Sequence, residues 1–369
     1  MTERKKKLLQ IPQGTESYYL EEALFHRHLT SRLERLYSQW GYLPAQTPVF
    51  DFFDIYQPLL KKDNIDFTYR LIDREGDLLM LRSDITLFLA KQMGLTLSEN
   101  DLPVRVYYAD TILRHQDKED ISKNEFFQLG VELIGKSGIN ADLEILMLLV
   151  RSIELLDPAC TFIHLGSRAL FDAVFTDFSS PQKESLMHAV IDRNMADLAR
   201  LAVEKLPKEK ISEVCTLFQF IGDGKDTQKI FTELKGKGHF SNTELKEIEY
   251  LLEIISQLQK LKSDMYFRID FSEIGNQPYH TGIVFQVYTE NADSAVISGG
   301  RYDTLLDFFG FNAPSIGFSI FLRKIEPYVG NKARFLPRKQ IVTVTGTNFA
   351  EMYTKAEEER KKGRITLLE

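Results

Sequence analysis

Apolar residues recur every three or four positions near the start of the chain, which is the spacing of one face of an α-helix. These positions are Phe25, Leu29, Leu33, Leu36 and Trp40. They predict an amphipathic helix from about Glu16 to Trp40, and Gly41 is placed to end it.

Alternating apolar and polar positions farther along the chain predict strands. Arg105–Leu113 and Phe126–Ile134 form the clearest pair, and the polar stretch Gln116–Asn124 between them predicts an antiparallel hairpin. The remaining predicted elements are strands at Leu78–Arg82, Ile283–Tyr288, Ala295–Ile297 and Ser315–Phe321 and helices at Thr86–Met93 and Asp142–Leu155.

In residues 178–262 the apolar positions recur with the period of a helix and no longer alternate as in a strand. We interpret this segment as a helical subdomain inserted into a core of residues 1–326. Residues 327–369 then form a linker and a partial α/β tail. The tail pattern is a strand at Ile341–Val344, a helix at Phe349–Lys362 and a strand at Ile365–Leu368, too little to fold alone.

Composition narrows the class of protein. Hydrophobic residues make up 43% and charged residues 27%, as in ordinary soluble domains. No apolar run reaches the ~18 residues of a membrane span, and no signal peptide is recognisable. The widely separated Cys160 and Cys215 predict no disulfide framework, which favours the cytoplasm. A net charge of −7 argues against binding to tRNA or other nucleic acid.

Common cofactor and metal motifs are absent from the sequence. There is no phosphate-binding P-loop, no dinucleotide-binding glycine pattern and no H-E-x-x-H. His26 and His28 lie two positions apart on a predicted helix, so their side chains point to different faces. We therefore predict no cofactor and no metal.

Several short motifs follow one another in a specific order. They are Ile11–Thr15, Gly41–Phe50, Leu81–Thr86, Leu113–Arg114 with Phe126–Glu132, Tyr279–Gly282, Ser298–Asp303 and Ala313–Ile325. In this order they resemble the motifs of class II histidyl-tRNA synthetases. The resemblance implies an α+β fold with an antiparallel sheet flanked by helices. It also implies a homodimer formed through the Gly41–Phe50 segment.

The resemblance assigns a histidine pocket. It implies that Asp84 and Thr86 meet the α-amino group, that Gln128 and Glu132 line the same pocket, and that Tyr279 lies near the imidazole. Arg114 is the candidate for an anion or carboxylate contact. Carboxylates suit an ammonium, and a dry slot with a polar partner suits an imidazole. Each residue alone could be an ordinary polar residue; the ordered set carries the assignment.

The phosphate side of the resemblance is incomplete. The pattern expects arginine where Gly275 and Lys324 stand, and glycine where Phe321 stands. It expects glutamate at Gln116 and arginines in the hairpin, where Ser122 and Asn124 lie, and a second tyrosine at His280. Holding a bent triphosphate requires guanidinium groups that lysine does not replace. These departures predict that amino-acid activation is lost.

The departures match a group of related proteins, the regulatory subunits of ATP phosphoribosyltransferase. That resemblance implies a non-catalytic subunit of the first enzyme of histidine biosynthesis. It would be required by a short-form catalytic subunit, with histidine as the effector. The alternatives are a divergent histidine-activating ligase and a pure scaffold that binds no ligand.

Overall fold

The computed structural model describes residues 14–15, 17–60, 65–115, 124–336 and 341–369. Most of the Ile11–Thr15 motif, together with Gln116 and Ser122, lies outside the described residues.

The described residues form helices and strands in mixed order along the chain. The helices are α1 Leu20–Gln39, α2 Phe53–Tyr56, α3 Ile85–Thr96, α4 Ile139–Leu156, α5 Arg168–Val174, α6 Ser180–Ile191, α7 Met195–Ala202, α8 Lys208–Gln219, α9 Gly224–Lys237, α10 Asn242–Lys260, α11 Leu322–Ile325 and α12 Phe349–Lys361. The strands are β1 Leu43–Pro44, β2 Phe50–Phe52, β3 Arg70–Ile72, β4 Leu78–Leu81, β5 Val104–Leu113, β6 Glu125–Ile134, β7 Phe162–Ser167, β8 Ile221–Gly222, β9 Phe267–Asp270, β10 Ile283–Tyr288, β11 Ile297–Arg301, β12 Ser315–Phe321, β13 Ile341–Val344 and β14 Ile365–Leu368.

A nine-stranded sheet organises the larger part of the chain. Its order is β1-β5-β6-β12-β11-β10-β7-β9-β8. Neighbours from β5 through β7 pair antiparallel, whereas β1 pairs parallel with β5 and β9 pairs parallel with β7. The predicted hairpin of β5 and β6 is present. The α+β class with an antiparallel sheet and flanking helices is therefore confirmed, with parallel strands added towards the edges.

Period-two alternation gives the two faces of this sheet different characters. On β6, Leu129, Val131 and Leu133 are fully buried on the apolar face, which faces α1 through contacts such as that between Phe318 and Tyr37. The opposite face carries the polar residues Gln128 and Glu132 of the same strand. Strand β6 thus contributes apolar residues to the core from one face and presents polar residues on the other.

Strand β11 differs from the prediction. The sequence predicts a strand at Ala295–Ile297, but the paired strand is Ile297–Arg301 and contains Gly299 and Gly300. Glycine is normally unfavourable in strands, so its presence hid the pairing. A Cβ at Gly299 would meet the ring of Phe285, and a Cβ at Gly300 would meet Val284. The glycines allow close approach of neighbouring strands.

The chain folds into two compact units. The first contains Thr30–Gly330, including helices α6–α10 of the insert, with the few described residues that precede Tyr18. The second contains Tyr18–Leu29 and Asn331–Glu369. Within the second unit, β13 and β14 pair parallel, and the Phe25 ring packs edge-on against Phe335. Among the described helices, none is long and apolar enough to cross a membrane.

A buried carboxylate connects the sheet with a core helix and the insert. Asp142, in the first turn of α4, is fully buried. Its Oδ1 accepts a hydrogen bond from Nε of Arg301 on β11 at 2.9 Å. Its Oδ2 accepts one from the hydroxyl of Tyr250 on α10 at 2.6 Å. Arg301, the arginine of the Ser298–Asp303 motif, therefore links strand β11 to helix α4.

Asp142→Ala should lower the free energy of unfolding by about 3–5 kcal/mol, because the buried Arg301 charge loses its fully buried partner and keeps only the more exposed Asp303. Urea denaturation measures the change. Glu154→Ala is the control, since Glu154 forms an exposed pair with Arg151 on the same helix and should cost at most about 1 kcal/mol. Equal costs for the two variants would contradict the assignment.

Candidate ligand-binding site

A cavity of about 550 Å³ opens on the polar face of the sheet. The residues predicted for the histidine pocket all line it: Asp84, Thr86, Arg114, Gln128, Glu132 and Tyr279. They come from the start of α3, the residue after β5, strand β6 and the loop before β10. The structure thus brings together residues far apart in sequence, and their role in binding histidine stays a prediction.

The floor of the cavity depends on small residues beside a large acidic one. Glu132 pairs in register with Gly317 on β12, which in turn pairs with Gly300 on β11. A Cβ at Gly317 would collide with the Glu132 carboxylate. Glycine at this position is therefore what leaves room for a carboxylate at the centre of the sheet.

Asp84 has two roles, one for each carboxylate oxygen. Oδ1 caps α3 by accepting from the backbone N–H groups of Thr86 at 2.8 Å and Leu87 at 3.4 Å. Oδ2 lies 3.4 Å from Nη2 of Arg114 and 3.4 Å from the hydroxyl of Tyr279. The cap fixes the side chain, so the second oxygen faces the cavity in a set position.

Glu132 is almost completely buried and is held by hydroxyl groups. Its Oε1 accepts a hydrogen bond from Thr86 Oγ1 at 2.8 Å, and its Oε2 accepts one from the Tyr302 hydroxyl at 2.5 Å. Burial raises the pKa of Glu132 to about 8, although these hydrogen bonds act in the opposite direction. Burial therefore favours the protonated carboxyl at neutral pH when no cation lies beside it, and in that form its O–H donates to one of the neighbouring hydroxyl oxygens.

Sequence reasoning missed two tyrosines of this network. Tyr302 donates to Glu132, and the Tyr108 hydroxyl lies 3.5 Å from Glu132 Oε1 and 3.3 Å from Thr86 Oγ1. Burial, together with the nearby carboxylates, raises the pKa of each of these two phenols well above the usual value for tyrosine. Tyr302 stands inside the Ser298–Asp303 motif, which was the available signal. Tyr108 on β5 had no such signal.

The cationic side of the cavity centres on an aromatic ring. Phe321 lies edge-on to Phe126, with ring centroids 5.8 Å apart. The guanidinium carbon of Arg114 is 5.9 Å from the Phe321 centroid, and Nζ of Lys324 is 5.6 Å from it. Both cations therefore lie within reach of the same aromatic ring. Both basic groups thus border the cavity beside a bulky hydrophobic side chain.

Gly275 has no space for the arginine that the family pattern expects. Its φ is +76°, a conformation that favours glycine. A Cβ there would collide with the imidazole of His280 and approach Val284 at 2.9 Å. His280, itself a departure from the pattern, thus packs where a longer side chain would have to begin. The two departures are linked by packing.

The helical insert also reaches the site, which the sequence did not predict. His188 and Ile191, in the last turn of α6, line the cavity. Their contribution depends on how the insert docks on the sheet, and no local pattern encodes that.

The sheet order, the acidic floor and the motif positions define a protein of the class II aminoacyl-tRNA synthetase type. The family model described as histidyl-tRNA synthetase matches residues 14–325, and the chain belongs to that family. A solved structure from Bacillus halodurans, titled as an ATP phosphoribosyltransferase regulatory subunit/histidyl-tRNA synthetase, superposes with a TM-score of 0.85 at 21% identity, covering 98% of this chain and 93% of the other. A histidyl-tRNA synthetase from Nostoc sp. superposes with a TM-score of 0.79 at 21% identity, over 98% and 86% of the two chains.

Curated relatives point to one branch of this family. The ATP phosphoribosyltransferase regulatory subunit of Clostridium kluyveri is 27% identical, over 96% of this chain and 92% of the relative. The protein of the same name from Moorella thermoacetica is 28% identical, over 98% and 92%. The predicted resemblance to these regulatory subunits is therefore confirmed.

Glu132→Gln should change how stability depends on pH. The pKa of about 8 lies above the ordinary glutamate value of 4.5, so between these two values the folded chain holds a proton that the unfolded chain has lost. Wild-type stability relative to the variant should fall by up to about 1.4 kcal/mol per pH unit across that window and level off above pH 8. Urea denaturation from pH 5 to pH 9 measures it, with Glu290→Gln at the surface as the control. A pH-independent difference between wild type and Glu132→Gln would refute the burial argument.

Proposed function

We propose that this chain is a regulatory subunit of ATP phosphoribosyltransferase, that it binds histidine in the cavity, and that it catalyses no reaction alone. The observation that carries the proposal is the contrast between the two sides of one cavity. The acidic floor of Asp84 and Glu132 is intact and held by hydroxyl groups. On the other side, Gly275 and Phe321 stand where phosphate clamping needs an arginine and open space.

The charged groups that line the cavity complement the ammonium and the carboxylate of histidine. Its ammonium lies between Asp84 Oδ2 and the Glu132 carboxyl, and its carboxylate pairs with Arg114. An ammonium favours the ionised form of Glu132, so binding at neutral pH expels the proton that burial keeps there. Tyr279 and polar residues of the strands that line the cavity surround the space that remains for the imidazole.

The regulatory role requires a catalytic partner. The names of the relatives support one, since a regulatory subunit of ATP phosphoribosyltransferase acts on that enzyme. We propose that the partner is a short-form catalytic subunit and that histidine inhibits the complex. Such coupling between two sites typically amounts to about 1–3 kcal/mol.

Mixing this chain with a short-form phosphoribosyltransferase should produce activity that neither protein shows alone, and histidine should inhibit it. Asp84→Asn should raise the inhibitory histidine concentration by about tenfold or more, because it removes one charge from the ammonium site. Calorimetry on the isolated chain measures histidine binding directly, and two buffers of different ionisation enthalpy report the released proton. Asp223→Asn is the control, since Asp223 caps α9 in the way that Asp84 caps α3.

Two outcomes distinguish the rival functions. Robust histidine-dependent exchange between ATP and pyrophosphate would establish a ligase instead. Full inhibition in the Asp84→Asn complex, with no heat of binding at millimolar histidine, would favour a scaffold that binds no ligand here.

We also propose that two copies of the chain associate through the Gly41–Phe50 segment and the strand residues that directly follow it. Leu43 is 69%, Phe50 53% and Phe52 51% exposed, and all three lie within one stretch of ten residues. Exposed apolar residues grouped in this way favour an interface. In this arrangement the Gly41–Phe50 segment performs the role that the family resemblance assigns to it.

Replacing Phe50 and Phe52 together by aspartate should convert the dimer into a monomer, because charges oppose burial of that surface. Sedimentation equilibrium measures the mass. Leu95→Asp is the control, as Leu95 is 68% exposed outside the segment. A monomeric wild type, or a dimer that survives the double substitution, would contradict the proposal.

A further inference from the structure

The helical insert and one loop of the core both border the cavity. Ile191 and His188 come from the end of α6, and Gly275, Asn276 and Gln277 come from the loop after β9. These segments lie far apart in sequence. The shape of the cavity therefore depends on how the end of α6 and the 271–277 loop are held in place.

One buried carboxylate contacts both segments. Asp270, the last residue of β9, is 1% exposed. Its Oδ2 accepts from Nη2 of Arg193 at 2.5 Å, and Arg193 stands two residues after the end of α6. Its Oδ1 accepts from the backbone N–H and the hydroxyl of Ser272, at 3.0 and 2.8 Å, in the loop. The carboxylate of Asp270 thus binds both Arg193 of the insert and Ser272 of the loop.

The charge state of Asp270 supports this connection. Burial raises its pKa, but hydrogen bonds from His164 and Ser272 and the charge of Arg193 outweigh burial and hold the pKa below its usual value. His164 Nδ1 lies 2.9 Å from Oδ2. Arg193 has a φ of +51°, which a residue with a Cβ adopts at a cost. The ion pair with Asp270 holds the turn after α6 in this conformation.

The same cluster is better suited to an ion pair than to a metal ion. Ligand atoms of His164, Asp270 and Glu273 lie within 4.8 Å of one another. Arg193 already supplies a positive charge to Asp270, and the Tyr288 hydroxyl donates to Glu273 at 2.7 Å. A metal ion would have to displace both partners.

We infer that Arg193 is a positioning residue for the cavity: its pairing with Asp270 holds the end of α6 and the 271–277 loop as one wall, so that the insert senses the bound ligand. This inference rests on the proposed function for the identity of the ligand, histidine. A ligand that contacts His188 or Ile191 favours the docked insert, and by reciprocity the docked insert favours the ligand.

The test compares Arg193→Gln, Arg193→Lys and Lys183→Gln. Lys183 lies on the same helix and pairs with Asp172 at 3.7 Å near the surface, which makes it the matched control. Histidine affinity, measured by calorimetry, should fall by about five- to tenfold in Arg193→Gln, recover in part in Arg193→Lys and stay unchanged in Lys183→Gln. Asp270→Asn combined with Arg193→Gln should weaken binding no further than the larger single effect.

Hydrogen exchange of the ligand-free proteins tests the wall without histidine. Amides of 180–191 and 271–277 should exchange faster together in Arg193→Gln, while those of α4 should not change. Wild-type affinity and wild-type exchange in Arg193→Gln would overturn the inference. If the wild type binds no histidine, the proposed function fails, and the exchange experiment still decides whether Arg193 holds the two segments as one wall.

Discussion

The buried carboxyl group of Glu132 constrains the site more than any other group. A carboxyl at the centre of a sheet is tolerated only if hydrogen-bond donors reach it, because an unsatisfied buried polar group costs about 1–3 kcal/mol or more. The donors come from α3 through Thr86, from β5 through Tyr108 and from the residue after β11, Tyr302. The space comes from Gly317 on β12. Four elements of the fold therefore converge on one side chain.

This convergence gives a physical reason why the floor of the cavity can persist when its cationic side changes. Replacing a donor to Glu132 leaves a buried polar atom without a partner and so destabilises the fold. Residues on the other side are under a weaker constraint. Gly275 lies in a loop, and Lys324 lies beside the surface, where its Nζ is 3.1 Å from Ser294 Oγ. Phosphate clamping can thus be lost at little structural cost, whereas the acidic floor is tied to folding.

The sequence predicted the parts of this arrangement that have a local pattern. The hairpin of β5 and β6 and the helix α4 follow from periodicity, and the ordered motifs led to six residues that line the cavity. The limits of β11 were wrong because two glycines in a strand contradict local propensity and make sense only beside Phe285 and Val284. His188 and Ile191 were missed because their place in the site depends on how the insert docks on the sheet, which no local pattern encodes.

Regulation through this fold needs an element that can occupy more than one position, since a nine-stranded sheet with a close-packed core has little freedom to move. The insert joins the sheet through strand β8, which pairs with β9, through apolar packing such as that of Phe220 on Phe271, and through polar links such as Tyr250 with Asp142 and Arg193 with Asp270. Buried ion pairs add little net stability, because desolvation offsets most of their attraction, but they are specific in geometry. The Arg193–Asp270 pair therefore defines where the end of α6 lies more than it adds to the stability of the insert. A ligand that touches both the floor and α6 can therefore shift the end of that helix, where His188 and Ile191 line the cavity, with the modest binding energy available to an amino acid.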